Sequence, residues 1–160
     1  MQTVYHTIAP VFDENAHTLI LGSMPSPASR NANFFYGHAH NRFWRVLADV
    51  FDEPLPADIC AKKRLILQHN LALWDVLAQC TIRGAADSTI QNAVPNDLSI
   101  ILAHAPVTRI FTLGKTAHTL YTRLQLPTTK IAAVYLPSTS PANQTITYAQ
   151  LKEAFMVVRG

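Results

Sequence analysis

Four short apolar runs, each closed by turn chemistry and separated from the next by segments of helical period, constrain this chain more than any other feature. HTLILGS (17–23) ends at Gly22, LALWDVL (71–77) is a second run, VTRIFTLG (107–114) ends at Gly114 and KIAAVYLP (130–137) ends at Pro137. Between them, NRFWRVLADVF (41–51), PADICAKKRLILQHN (56–70), NDLSIILAHA (96–105) and KTAHTLYTRLQL (115–126) carry apolar residues at helical spacing, and TYAQLKEAFMVVRG closes the chain. Strands apolar along nearly their whole length must be covered on both faces, so the pattern predicts a three-layer α/β/α sandwich around a parallel sheet. With 160 residues and no internal repeat, low-complexity stretch or linker, one domain over 1–160 is expected.

Composition narrows the class of function less sharply. Hydrophobic residues make up 49% and charged residues 14%, which is neither a disordered nor a supercharged chain. No run approaches the roughly 20 apolar residues of a membrane span. The opening MQTVYHTIAPVFDENAHT lacks both the basic start and the apolar core of a signal peptide, so no membrane partner and a cytoplasmic location are expected. Cys60 and Cys80 are too few to suggest a disulfide framework, zinc or an iron–sulfur cluster. A net charge of +3 is compatible with an anionic partner without requiring one. The densest basic run, Lys62, Lys63 and Arg64, lies on a predicted helix, where such a triplet is commonly a solvated face.

Ligands of a parallel sheet bind beyond the carboxyl ends of its strands, which selects the segments 22–40, 78–95, 114–115 and 137–144 as candidate site loops. None is a phosphate-binding glycine loop: GSMPS has one glycine and fits neither nucleotide fingerprint, so no nucleotide cofactor is expected. His38 and His40 are two histidines on a loop without a neighbouring carboxylate, a poor set of metal ligands, and no metal is expected.

The first loop is instead rich in flat rings and amides. Phe34, Phe35 and Tyr36 are consecutive, so their rings cannot all point one way; taken singly each is more commonly a core or loop anchor, while a ring facing the cleft would stack on a nucleobase. Asn41, at the head of NRFWRVL, is either a helix cap or an amide able to orient a water. Asp75, ending the second strand beside Trp74, is the nearest carboxylate to such a pocket or simply a capped acid, and Trp74 reads as core.

These blocks carry a resemblance. LGSMPS…FFYGHAHNRFW, followed in order by ALWDVL, RGAADSTIQNAVPNDL, IFTLGKTA and LPSTSPAN, resembles the hypoxanthine-DNA glycosylase family of the uracil-DNA glycosylase superfamily. The resemblance runs from about residue 18 to 144 and extends to the mismatch-specific uracil-DNA glycosylases, with their G-I-N-P-G motif and H-P-x-N-R-F-W segment. It implies a four-stranded parallel sheet and hydrolysis of the N-glycosidic bond to a flipped deaminated base, hypoxanthine or uracil. It further implies no cofactor, a monomer, and double-stranded DNA carrying a damaged or mismatched base as partner.

Residue by residue, the resemblance places Gly22, Ser23, Met24 and Tyr36 at the base, with the amides of Ser23 and Met24 beside its edge and Tyr36 stacking on it; Asp75 is expected there from its position at the strand end. The resemblance assigns Asn41 to catalysis and Ser138 and Ser140 to the phosphates of the DNA strand, and Pro25, His38 and Thr139, in the same loops, are expected against DNA as well. Three positions depart from the relatives. Met24 stands where the mismatch-specific enzymes place an asparagine that positions water, so that role passes to Asn41. Leu136 replaces a histidine that stabilises the leaving base, and Ser140 replaces a bulky wedge.

Two other readings remain open on the residues alone. A non-catalytic DNA lesion-binding module would tolerate Met24 and Leu136. A hydrolase of a free nucleoside or small amide would use Ser23 as nucleophile, although no G-x-S-x-G elbow surrounds it.

Overall fold

The computed structural model describes residues 1–160. In chain order the elements are β1 (Gln2–Tyr5), β2 (Thr18–Gly22), α1 (Pro27–Ala32), α2 (Phe43–Val50), α3 (Ile59–Gln68), β3 (Leu71–Asp75), β4 (Leu77–Arg83), β5 (Ala86–Pro95), α4 (Ser99–Leu102), β6 (Arg109–Leu113), α5 (Lys115–Leu124), α6 (Leu126–Thr129), β7 (Ala133–Leu136) and α7 (Tyr148–Arg159). The four apolar runs pair in parallel in the order β3-β2-β6-β7. Every residue of β2 and β3 is buried, as strands covered on both faces require, whereas the edge strand β7 exposes Val134 and Tyr135.

Topology fixes the layers and the cleft together. From β2 the chain moves to one side to form β3, and from β6 it moves to the other side to form β7. Right-handed crossovers in opposite directions put α2 and α3 on one face of the sheet and α5 on the other. The reversal falls between β2 and β6, so the crevice of this α/β sheet opens at the carboxyl ends of those two strands. No helix is long and apolar enough to cross a membrane.

A second sheet corrects the reading of 78–95 as a loop. Antiparallel β1, β4 and β5 form a three-stranded sheet, and the hairpin β4–β5 follows β3 after the single residue Val76. The chain breaks at Val76 because buried side-chain amides take its carbonyls: Asn96 Nδ2 donates to Asp75 O and Leu77 O, both at 2.9 Å, and Gln125 Nε2 donates to Val76 O at 3.2 Å. Register shifts along β4–β5 interrupt its two-residue alternation, which hides the strands from a pattern reading.

Smaller corrections have local causes. The loop 22–40 contains α1, capped by Ser26 and led by Pro27, a start signal visible in SPAS. The run 96–105 yields only the single turn α4. The basic triplet lies on α3, with Lys62 Nζ 5.5 Å from the Trp44 ring centroid and Lys63 Nζ 5.9 Å from that of Phe34; its stems cover aromatic surface, in keeping with a solvated face. Cys80 is buried in β4 while Cys60 is exposed, and both are free thiols.

Candidate active site

Gly22 and Asp75 end neighbouring strands and pair in register, so the floor of the crevice is where their side-chain positions meet. A Cβ on Gly22 would lie 2.5 Å from Asp75 Oδ1 and 3.0 Å from the Tyr36 hydroxyl, so any side chain here would have to displace the Asp75 carboxylate. Asp75 is buried, and its Oδ2 receives a 2.8 Å hydrogen bond from His6 Nε2. His6 Nδ1 accepts from the Ile8 N–H at 3.3 Å, so the donating proton sits on Nε2. The ring of His6 lies edge-on to Trp74 with centroids 6.0 Å apart, and the His6 and Asp75 side chains are 1% and 5% exposed.

The loop after β2 supplies the next layer. Ser23 and Met24 are buried, yet neither backbone N–H has an acceptor within the protein. Backbone donors of buried residues are seldom left without an acceptor, so these two N–H groups, on residues lining the crevice, are available to a ligand. Phe34 and Phe35 are buried anchors, Phe34 stacking on Trp44 and Phe35 accepting the Trp44 indole N–H through its carbonyl at 3.0 Å. Between them and the helix, Tyr36 adopts a left-handed backbone (φ 53°), uncommon for an aromatic residue. Its ring stacks on Phe43 at 4.1 Å, so one face is already covered.

The Tyr36 hydroxyl is buried without a hydrogen-bond partner. Burial, then the charges of Asp75 and Asp87, hold this phenol well above its usual range, so it remains a neutral donor. Because removal of an unpaired buried hydroxyl removes only a desolvation cost, Tyr36→Phe is expected to leave the melting temperature unchanged or raise it. A fall of more than about 3 °C, equivalent to roughly 1 kcal/mol in a domain of this size, would show that the hydroxyl has a partner in the folded protein.

Asn41 does not cap the helix directly. The helix begins at Phe43 with Arg42 at the cap position, and Asn41 Oδ1 accepts the Phe43 N–H at 2.9 Å from one residue further out. That bond fixes the amide while leaving Oδ1 a second lone pair and Nδ2 free. His38 is exposed beside it, its Nδ1 accepting the His40 N–H.

The opposite wall is the loop after β7. Gly114, with φ 89°, lets this loop approach: its Cβ position would be 3.3 Å from Ser138 Cβ. Ser138 Oγ accepts the Ser140 N–H at 3.1 Å and Ser140 Oγ accepts the Ala142 N–H at 3.2 Å, so each hydroxyl keeps its own proton to donate. Thr139 is buried, and its carbonyl accepts the Arg42 N–H. Arg42 also donates to the carbonyls of Asn143 and Ile146, both at 2.9 Å, stapling this loop to the head of α2.

All eleven residues singled out from the sequence, Gly22, Ser23, Met24, Pro25, Tyr36, His38, Asn41, Asp75, Ser138, Thr139 and Ser140, line one cavity of about 160 Å³. Three contributors escaped the sequence reading. His6 lies beneath Asp75, Arg42 holds the far loop, and Asp87 reaches into the cavity from the hairpin, its Oδ2 accepting the Ser23 hydroxyl at 2.9 Å. Burial raises the Asp87 pKa, the Ser23 hydrogen bond opposes that rise, and the charge of Asp75 adds to it. The proximity of Arg42 to the NRFW asparagine was the available signal for its role; none marked His6 or Asp87.

Among known proteins, a hypoxanthine DNA glycosylase of Methanosarcina barkeri is 37% identical over 98 residues, spanning 61% of this chain and 62% of the relative. A protein of the same name from Methanosarcina acetivorans is 38% identical over 101 residues, spanning 62% of this chain and 64% of the relative. The chain thus matches a little under two thirds of the length of these curated relatives. A candidate uracil DNA glycosylase of M. acetivorans, solved by solution NMR, superposes with a TM-score of 0.76 at 30% identity, covering 96% of this chain and 97% of that one. The family described as the Uracil DNA glycosylase superfamily matches residues 9–158. With that match spanning the whole parallel sheet and every residue that lines the cavity, the chain belongs to the uracil DNA glycosylase superfamily.

Proposed function

We propose that this chain is a monofunctional DNA glycosylase that acts as a monomer on duplex DNA and hydrolyses the N-glycosidic bond of a flipped deaminated base, hypoxanthine first and uracil second. The observation that carries the reading is that the backbone N–H groups of the buried residues Ser23 and Met24 have no acceptor within the protein, at the carboxyl end of β2 in a cavity shared with Tyr36, Asn41 and Asp75. Hypoxanthine offers an acceptor O6 to those donors, whereas adenine offers a donor N6 and would leave both sides unpaired in a desolvated site.

The chemistry follows from that placement. The target bond is inaccessible in a stacked duplex, so the nucleotide flips out at a cost of a few kcal/mol, less for a mispaired base. As the C1′–N bond lengthens, the sugar gains oxocarbenium character and the base carries the departing electron pair. The Ser23 and Met24 amides stabilise that negative charge, and the neutral phenol of Tyr36 lies beside them. Asn41 Oδ1, held by the Phe43 N–H, accepts a hydrogen bond from the attacking water with its second lone pair. The water oxygen bonds to C1′ as the C1′–N bond breaks, and the proton it gives up passes through solvent to the departed base anion, leaving a C1′ hydroxyl and a neutral free base. The free O–H protons of Ser138 and Ser140 donate to phosphates of the kinked strand, with Pro25 and His38 on the facing rim.

Lys115 extends the phosphate track. It is exposed at the start of α5, next to Gly114, and lines a hollow shared with Ser138 and Asn143. Lys115→Ala is expected to weaken binding to lesion-containing and undamaged duplexes alike and to reduce the slope of log K against log salt by about one contact. Fluorescence anisotropy over a salt series tests it; a loss confined to the damaged duplex would instead place Lys115 at the base.

The substrate class is tested by base release from duplexes carrying hypoxanthine, uracil or xanthine opposite each normal base. Release of hypoxanthine from several pairings supports the proposal. Tight duplex binding without release indicates a lesion reader, and indifference to duplex indicates a small-molecule hydrolase.

A further inference from the structure

We infer that Asp87, on the β4–β5 hairpin, is the acceptor that reads the ring N–H of the flipped base, so that the site selects bases presenting a carbonyl directly beside a ring N–H. This deepens the proposed glycosylase function and rests on it. The juxtaposition is specific. Asp87 Oδ2 lies 2.9 Å from the Ser23 hydroxyl, which brings a carboxylate alongside a residue that lines the same cavity and whose backbone N–H has no acceptor within the protein. A donor and an acceptor side by side match the O=C–N–H edge of hypoxanthine (O6, N1–H) and uracil (O4, N3–H), an edge they share with guanine and thymine, so the pair discriminates against adenine and cytosine.

The state of Asp87 without substrate points the same way. It is half-buried, and the Ser23 hydroxyl is its one hydrogen-bond donor, although a carboxylate has about four acceptor positions. A second carboxylate, Asp75, lies in the same cavity. Burial and that neighbouring charge both raise the Asp87 pKa, so a further donor stabilises the site. Asp75 is less suited to the role, because its Oδ2 is held by His6 at the floor. The edge selection also excludes adenine, whose N1 is an acceptor and would oppose the carboxylate. Reaching across from the second sheet, the hairpin supplies the half of the recognition that the β2 loop, with its backbone donors, lacks.

The test compares single-turnover base release from duplexes containing deoxyinosine or 1-methyldeoxyinosine, which lacks the N1–H, for wild type, Asp87→Ala and Asp87→Leu. Wild type is expected to favour deoxyinosine by more than about tenfold, the scale of one hydrogen bond to a charged group. In both variants the rate on deoxyinosine falls and the ratio of the two substrates collapses toward one. The leucine variant keeps the bulk of the side chain but no acceptor, so a ratio retained there would mean that Asp87 merely excludes the methyl group, and the inference fails. Because each ratio is taken within one preparation, a destabilised variant still reports. Wild type that releases hypoxanthine while both variants keep its ratio overturns this inference alone; wild type that releases no base from either duplex overturns the glycosylase reading itself.

Discussion

Asn41→Ala is expected to slow base release from a deoxyinosine duplex by about 10²- to 10³-fold, equivalent to roughly 3–4 kcal/mol of transition-state stabilisation. The same substitution removes the acceptor of the Phe43 N–H and is expected to cost about 1 kcal/mol of folding stability. These two effects separate cleanly, because a 1 kcal/mol loss leaves the protein folded at assay temperature while the catalytic loss is read directly. Single-turnover rates at matched folded fraction are the measurement. An unchanged rate alongside a lowered melting temperature would reduce Asn41 to an element of the helix start.

His6→Ala is expected to produce the largest loss of stability, about 3 kcal/mol, which in a domain of this size lowers the melting temperature by roughly 6–12 °C. The His6 and Asp75 side chains are 1% and 5% exposed and joined at 2.8 Å, so removing the imidazole leaves a buried carboxylate without its donor and a gap beside Trp74 and Phe35. The double variant His6→Ala with Asp75→Asn, which removes the stranded charge, is expected to recover part of the loss. Calorimetry of the three variants checks both statements. A drop under about 2 °C for His6→Ala would mean that water replaces the imidazole and that the floor of the cleft is not dry.

What the sequence discloses here follows the range of the interactions involved. The parallel strands are legible because full burial makes β2 and β3 apolar at every position up to Gly22 and Asp75, and the loops after them are then candidate site loops by topology alone. Tyr36 is legible because it lies in one such loop, and Asn41 because it stands where that loop meets the next helical run. The hairpin is not, because its strands are bulged and half-exposed, leaving no clean alternation between Leu77 and Pro95. Asp87 is 64 residues from Ser23, and His6 is 69 residues from Asp75. Neither pairing has a local pattern, since each forms only when a second sheet docks over the end of the first. Asn41 shows the finer limit: its amide bonds to the backbone two residues on, so the helix begins later than the residue type alone suggests.

The measurement that bears most directly on the account is quantitation of free hypoxanthine from a duplex holding a single deoxyinosine, with enzyme in excess and the strand checked for breakage. One equivalent of hypoxanthine per duplex is expected, from a strand that remains whole until treated with alkali. No release is expected from the same duplex with deoxyadenosine in that position. Stoichiometric binding with no free base, or release from the nucleoside and not from the duplex, would contradict it.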